Sequence, residues 1–456
     1  MHSSISKNID KGLLHLLIAF ILLPGYFFLG IEYKIVLIPY VLFLLFSKKA
    51  IYYPALIIHF LPGTMISQII LLGCLVLSLG DIKILRQYRV SSMYILSISS
   101  FILLVYISIQ KAYDLNYSII DNLKDLAVYL GFFGFYYGVL VSAQFNRRII
   151  ERVLWVLLFS VVLQALIADD GTIRYYFLAL PLFITITIAK LITRRKISVS
   201  SIFIYISVLI LVLVRLGRIE LTFTLIMTTF ISILIVFLYE RFKTLFLEIR
   251  TGTIFAILII FLTVYVVNNP QFTGRPSDFE TVNGITNISD LLTAFEFKAF
   301  GDRGVLWIGT WNTLIRDYYI WPPFKPSDIE FELYKGTLID VSYGAHNIVL
   351  ELIRQYGFMV GLSGVIIYLL IMMKLGKALS LTNSGPLMVI VGAVVLSTAF
   401  VGGLVGHFVL INNFSFLLMS LCGICYGVFI RTSWKNKLYD MGIEGQDCQK
   451  HSGWCQ

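Results

Sequence analysis

Apolar runs long enough to cross a bilayer recur along nearly the whole chain, separated by short polar connections. A run such as IFAILIIFLTVYVV (254–267) is unbroken. It lacks the strict alternation of a transmembrane barrel strand, which leaves spanning helices as the reading. At about 20 apolar residues per crossing, the pattern predicts spans near 12–30, 31–47, 91–108, 127–145, 153–168, 174–193, 199–214, 220–239, 252–268, 357–373, 386–404 and 409–430. The stretch 51–80 fits two short spans broken near Leu61–Thr64, or one span and a re-entrant piece. The expected fold is therefore an all-α integral membrane protein with about 12 to 14 transmembrane helices. Its expected parts are an N-terminal bundle over 1–268, a polar loop over 269–345, C-terminal transmembrane helices over 346–438 and a tail over 439–456. No internal repeat or low-complexity tract interrupts this plan.

Charge orients the bundle. Basic residues cluster between the apolar runs, at Lys48/Lys49, Arg147/Arg148/Arg152, Arg194/Arg195/Lys196, Arg241/Lys243/Arg250, Lys374/Lys377 and Arg431/Lys435/Lys437 among others. Placing every cluster in the cytoplasm requires an even number of crossings between neighbours, and the predicted spans satisfy this each time. Both termini are then cytoplasmic. The net charge of +10 is explained by these loops and does not argue for nucleic acid. Composition agrees: 58% of residues are hydrophobic and only 14% charged, against roughly half and a quarter in soluble domains. The five cysteines form no framework, and the CGIC run (422–425) lies inside a span without a neighbouring histidine. The first span lacks a small-residue cleavage pattern and reads as retained.

The loop at 269–345 is the only long one, and its acids outnumber its bases. This suits the non-cytoplasmic side. Within it, GDRGVLWIGTWNTLIRDYY (301–319) has helical spacing, with Asp302 as the expected N-cap and WPPFKP (321–326) as the stop. Polar and charged residues at the edges of spans need a reason. Arg215 and Arg218 stand with Glu220 in a very short connection, by the crossing count on the same face as the loop. They read as interfacial anchors or as an anion site, since a guanidinium fork grips phosphate oxygens. Arg303 opens the loop helix, where backbone N–H groups favour an anion; Arg275 is a weaker candidate. In YGAHNIVLELIRQYGF (343–358) a helix over about 343–355 would put His346 and Leu350 on one face, with Asn347, Glu351 and Arg354 on the next. His346 could serve as a general base or as a hydrogen-bonded structural residue. Ligand spacing for a metal is lacking around it.

Three segments in order, RLGRIELTFTLIMTTF (215–230), DRGVLWIGTWNTLIRDYYIWPPF (302–324) and AHNIVLELIRQYGFMVGL (345–362), resemble the O-antigen ligase and polymerase superfamily (Wzy-type polymerases and lipid A-core ligases). The resemblance covers roughly 210–375. It implies a C-type glycosyltransferase-like bundle in the bacterial inner membrane, with its large periplasmic loop carrying short helices. The activity implied is polymerisation of undecaprenyl-diphosphate-linked repeat units at the periplasmic face, without metal or other cofactor. The ligase reaction, with lipid A-core as acceptor, is the alternative. By the resemblance His346 is the catalytic base, while Arg218 and Arg303 bind the diphosphate, joined by Arg215 and Arg275 as further candidates. Gly217 stands where the family often has serine, and WPPFKP replaces a glycine-rich turn. Trp307, Trp311 and Tyr319 are candidates for stacking on sugar rings. The implied partners are the lipid-linked glycan, the bilayer and a chain-length regulator protein. A flippase of lipid-linked glycan is the rival from another class; it would be expected to show two related halves, which this sequence does not.

Overall fold

The computed structural model describes residue 88 and residues 92–113, 129–144, 178, 181–182, 184–188, 219–242, 250–269, 302–316, 330–333, 337–340, 345–380, 386–405 and 412–440. The spans expected at 12–30, 31–47, 153–168 and 199–214, and the stretch 51–80, lie outside these residues. The elements in chain order are α1 (Ser92–Tyr113), α2 (Phe133–Gln144), α3 (Ile219–Arg241), α4 (Thr251–Val267), α5 (Asp302–Arg316), β1 (Glu330–Leu333), β2 (Thr337–Asp340), α6 (Ile348–Ser380), α7 (Pro386–Val405) and α8 (Asn412–Asp440). α3, α6, α7 and α8 are each long and apolar enough to cross a membrane. α1, α2 and α4 carry shorter apolar stretches. Their positions match the apolar runs in the sequence. The described part is almost entirely helical, as expected of an all-α membrane protein.

The short antiparallel hairpin β1–β2 adds to that expectation. It pairs Glu330 with Asp340 and Leu333 with Thr337, across a three-residue Tyr-Lys-Gly connection suited to a tight hairpin. The loop helix α5 also forms where its periodicity placed it. It takes in Asp302 as its first helical residue, rather than leaving it outside as the cap.

Among the described helices α7 is the central one, with its apolar window wholly buried. α3, α4, α6 and α8 pack around it, which explains why its sequence is apolar on every side. Phe255 of α4 stacks on Phe400 of α7 at 4.3 Å, and the Tyr368 hydroxyl of α6 donates to the Ala399 carbonyl. On the outer helices the apolar residues form exposed stripes: Ile226, Phe230, Leu234 and Phe237 on α3, Ile254, Ile257, Phe261 and Val264 on α4, Met359, Leu362 and Ile366 on α6. Steps of three and four residues give each stripe one helix face. Contiguous greasy surface of this extent needs lipid as its solvent.

α2 and α8 run parallel at very close range. Gly134 and Gly138 of α2 meet Phe416, Ser420 and Ile424 of α8, and Gly423 of α8 meets Phe135 and Val139 of α2. Each helix thus presents a Gly-x-x-x-Gly pair, GFYYG at 134–138 and GICYG at 423–427. In lipid, apolar side chains gain little by leaving the solvent, so close backbone approach through small residues supplies the attraction. Cys422 and Cys425 are buried beside this seam as free thiols, consistent with packing rather than chemistry.

α6 is a hairpin rather than a single 33-residue rod. Gly357 has φ 73° and ψ 172°, a conformation essentially confined to glycine. The short arm 348–356 folds back along the long arm 358–380: a Cβ on Gly361 would overlap the Leu352 carbonyl, and Leu352 Cδ1 lies 3.4 Å from a Cβ built on Gly364. The long arm alone, 23 residues by its limits, spans about 34 Å, enough to cross a bilayer core of about 30 Å.

Two outcomes follow. Gly423→Ala puts a methyl group on the Phe135 carbonyl, so it should lower stability by about 1–3 kcal/mol, seen as a lower melting temperature in detergent. Gly357→Ala should cost a similar amount, about 1–3 kcal/mol, through backbone strain.

Candidate functional site

The hairpin fixes where the loop re-enters the bundle. α4 and the long arm of α6 are antiparallel: the backbones of Gly252 and Gly376 touch at one end, while Thr263 meets Asn347 towards the other. α7 confirms the level. Gly392 lies beside Leu379 and Gly403 beside Tyr368, so Leu404, whose carbonyl faces Asn347, is level with residue 367 of the long arm. Ten residues of helix then separate that level from the Gly357 bend, a drop of about 15 Å. The chain therefore dips into the bundle, starts the short arm at depth, climbs to Gly357 and turns down again. His346 sits at the bottom of this dip. Arg250 and Lys377 stand at the opposite end of the bundle, near the Gly252–Gly376 contact.

The helix starts later than the sequence suggests. The expectation of a helix from 343 gives way to a start at Ile348, so His346 and Leu350 do not share a helical face. Asn347 decides this. It is the N-cap: its Oδ1 accepts from the Val349 and Leu350 N–H groups at 2.9 and 3.3 Å, and its carbonyl accepts the first helical bond from Glu351 N–H at 2.8 Å. Asparagine is among the strongest cap residues because its side chain answers donors that the first turn leaves free.

Asn347 also joins three elements. Its Nδ2 donates to Thr263 Oγ1 of α4 at 2.9 Å and approaches the Leu404 carbonyl of α7 at 3.4 Å. The Thr263 hydroxyl proton is committed to the Ile259 carbonyl at 2.7 Å, which leaves Oγ1 to accept from Asn347. Nearby, Asn268 and Asn269 donate to the Val264 and Tyr265 carbonyls and so close the end of α4.

Glu351 braces the other side. It is 2% exposed, and its Oε2 accepts the Ala345 N–H at 2.6 Å. Its Oε1 pairs with the Arg354 guanidinium and accepts from Gln355 Nε2 at 2.7 Å. A carboxylate this buried is retained only when its oxygens are answered. The residues before and after His346 are thus both tied. His346 between them is half-buried with φ 52°, the only non-glycine of positive φ among the described residues.

Between the Gly357 bend and the level of His346, a polar chain crosses from α6 to α1. The Tyr129 hydroxyl shares a hydrogen bond with Ser363 at 2.9 Å, and Ser363 donates to Ser99 at 2.7 Å. Tyr129 also packs edge-on against Tyr356 of the short arm at 5.1 Å. These contacts hold the arm from its outer side.

The loop helix α5, which carries Arg303 in its first turn, packs on both α4 and α6. Trp307 is fully buried in the common core, so it packs and presents no ring face. Trp311 is half-buried against the same core and keeps part of its surface. Arg215, Arg218, Arg275 and Tyr319 lie outside the described residues. Among the described residues, no group of three or more His, Cys, Asp or Glu could hold a metal.

Sequence reasoning missed Thr263 and the Leu404 carbonyl, because a lone threonine in an apolar run carries no signal. It missed the cap at Asn347 as well, since the expected helix begins at 343, although an asparagine directly before an apolar helical run is a start signal.

No family model, curated protein or solved structure matches the chain.

Asn347→Ala should strip the cap and the cross-element tie together. The expected loss is about 2–3 kcal/mol, measured as a drop in the melting temperature. Glu351→Leu should cost more than Glu351→Gln, since only the amide can still accept from Ala345.

Proposed function

We propose that this protein is a membrane glycosyltransferase that polymerises polyprenyl-diphosphate-linked glycan repeat units, with His346 as the general base. The observation that carries the reading is the backbone of His346. A non-glycine held at positive φ costs on the order of 1–3 kcal/mol and persists only where its surroundings impose it, most often at working sites. Here a buried cap on one side and a buried carboxylate on the other impose it.

The chemistry fits the surroundings. A glycosyl diphosphate carries its own leaving group, so the protein need only position the donor, neutralise the departing charge and take a proton from the acceptor hydroxyl. His346 is recessed in the bundle, α5 carries Arg303 in its first turn and packs on α4 and α6, and Arg218 precedes α3 by one residue. Guanidinium groups gripping the diphosphate oxygens would stabilise the developing charge. An imidazole near neutrality would accept the hydroxyl proton. A single displacement at the anomeric carbon inverts its configuration. The lipid-facing stripes on α3, α4 and α6 suit a polyprenyl tail that stays in the membrane while its head enters the recess. In this reading the recess opens to the periplasm of a bacterial inner-membrane protein, and the basic ends and both termini lie in the cytoplasm.

The purified protein, given lipid-diphosphate repeat units, should lengthen the glycan and release the polyprenyl diphosphate. His346→Ala should slow this by about 10²–10⁴-fold at an unchanged melting temperature. Full activity in that variant would overturn the assignment. Lipid A-core added as a competing acceptor separates polymerase from ligase.

A further inference from the structure

We infer that Thr263 and Asn347 form a positioning clamp that holds His346 in its recess; the inference rests on His346 being the base. Neither residue is placed to touch substrate: Asn347 is fully buried and Thr263 nearly so. Their geometry nonetheless fixes the histidine. Thr263 lies six residues before Asn269, where α4 hands over to the large loop, and Asn347 stands where that loop returns. One hydrogen bond, Asn347 Nδ2 to Thr263 Oγ1 at 2.9 Å, therefore closes the whole excursion at its base.

The direction of this bond is determined. The Thr263 proton goes to the Ile259 carbonyl, and Asn347 Oδ1 is occupied by the first N–H groups of α6. The amide can then be satisfied in one orientation only, with Nδ2 towards α4 and the Leu404 carbonyl. Asn347 is thus pinned at both ends of its amide, and the backbone of the adjacent His346 inherits that constraint. Glu351 restrains the preceding residue through the Ala345 N–H, so rotation about His346 is opposed from both directions. If Thr263 ceases to accept, the cap at α6 survives, but its tie to α4 is lost and His346 can leave its position.

The test compares Thr263→Val, which removes the acceptor at nearly constant shape, with Thr263→Ser, which keeps it. Both are full-length protein in lipid nanodiscs. The first readout is carbethoxylation of His346 by diethyl pyrocarbonate, followed by mass spectrometry of its peptide. The rate should rise about threefold in Thr263→Val through local opening and stay at the native value in Thr263→Ser, with both variants folded and Thr263→Val melting somewhat lower, as a buried donor left unanswered requires. The second readout is glycan transfer: kcat should fall about tenfold, the worth of one buried hydrogen bond, at unchanged KM. Unchanged His346 reactivity in Thr263→Val overturns the clamp. So does raised reactivity with undiminished transfer. Raised reactivity in a protein whose native form transfers no glycan supports the clamp and overturns the glycosyltransferase reading instead. If Thr263→Val does not fold, Asn347→Ser, which can still cap α6 but cannot reach Thr263, is scored by the same readouts.

Discussion

The start of α6 is buried, and a buried helix start leaves backbone N–H groups that water cannot reach. Each unanswered group costs several kcal/mol in such surroundings. The region around it is organised by that demand. Asn347 answers two N–H groups with its side chain, Glu351 answers a third at Ala345, and the asparagine amide spends its remaining donors on Thr263 and the Leu404 carbonyl. The same bonds that make the helix start tolerable also lock α4, α6 and α7 together. Placement of His346 is a by-product of satisfying the backbone.

Depth follows from the bend at Gly357. Without it, α6 would be a rod of about 50 Å, too long for the bilayer core, and its first residues would stand in water. With it, the short arm lies antiparallel to the long arm and carries His346 down into the bundle. Gly361 and Gly364 allow the two arms to touch. The re-entrant arm stays helical and covered by protein, which is the condition for irregular backbone at membrane depth.

Packing elsewhere obeys the same solvent logic. Where water drives a fold, large apolar residues gather inside; in lipid, they are equally content on the outside. The exposed stripes of α3, α4 and α6 show this, and the close pair α2 with α8 is made by glycines and serines. Intrahelical bonds from Thr228, Thr229, Ser232 and Thr263 to carbonyls four residues back let hydroxyls sit inside apolar helices at little cost.

Much of this was legible in the amino-acid order. Among the described residues the apolar runs locate the helices, because a long apolar stretch in a bilayer satisfies its backbone as a helix. They do not locate all of the ends: the span expected at 409–430 is α8, which runs Asn412–Asp440. The helix over Asp302–Arg316 and the glycine that ends the short amphipathic stretch were readable from periodicity and residue type. So was the singularity of His346, a polar residue where the loop meets the span. What only the tertiary structure decided is how these pieces meet. Whether α6 is a rod or a hairpin depends on the dihedral angles of one glycine. Whether Trp307 faces a sugar or the core depends on what α5 packs against. The partnership of Thr263 with Asn347 spans 84 positions of sequence. It exists because a hydrogen-bond donor buried by packing must take the acceptor that the neighbouring helix presents, and the order of residues along one chain does not say which helix that is.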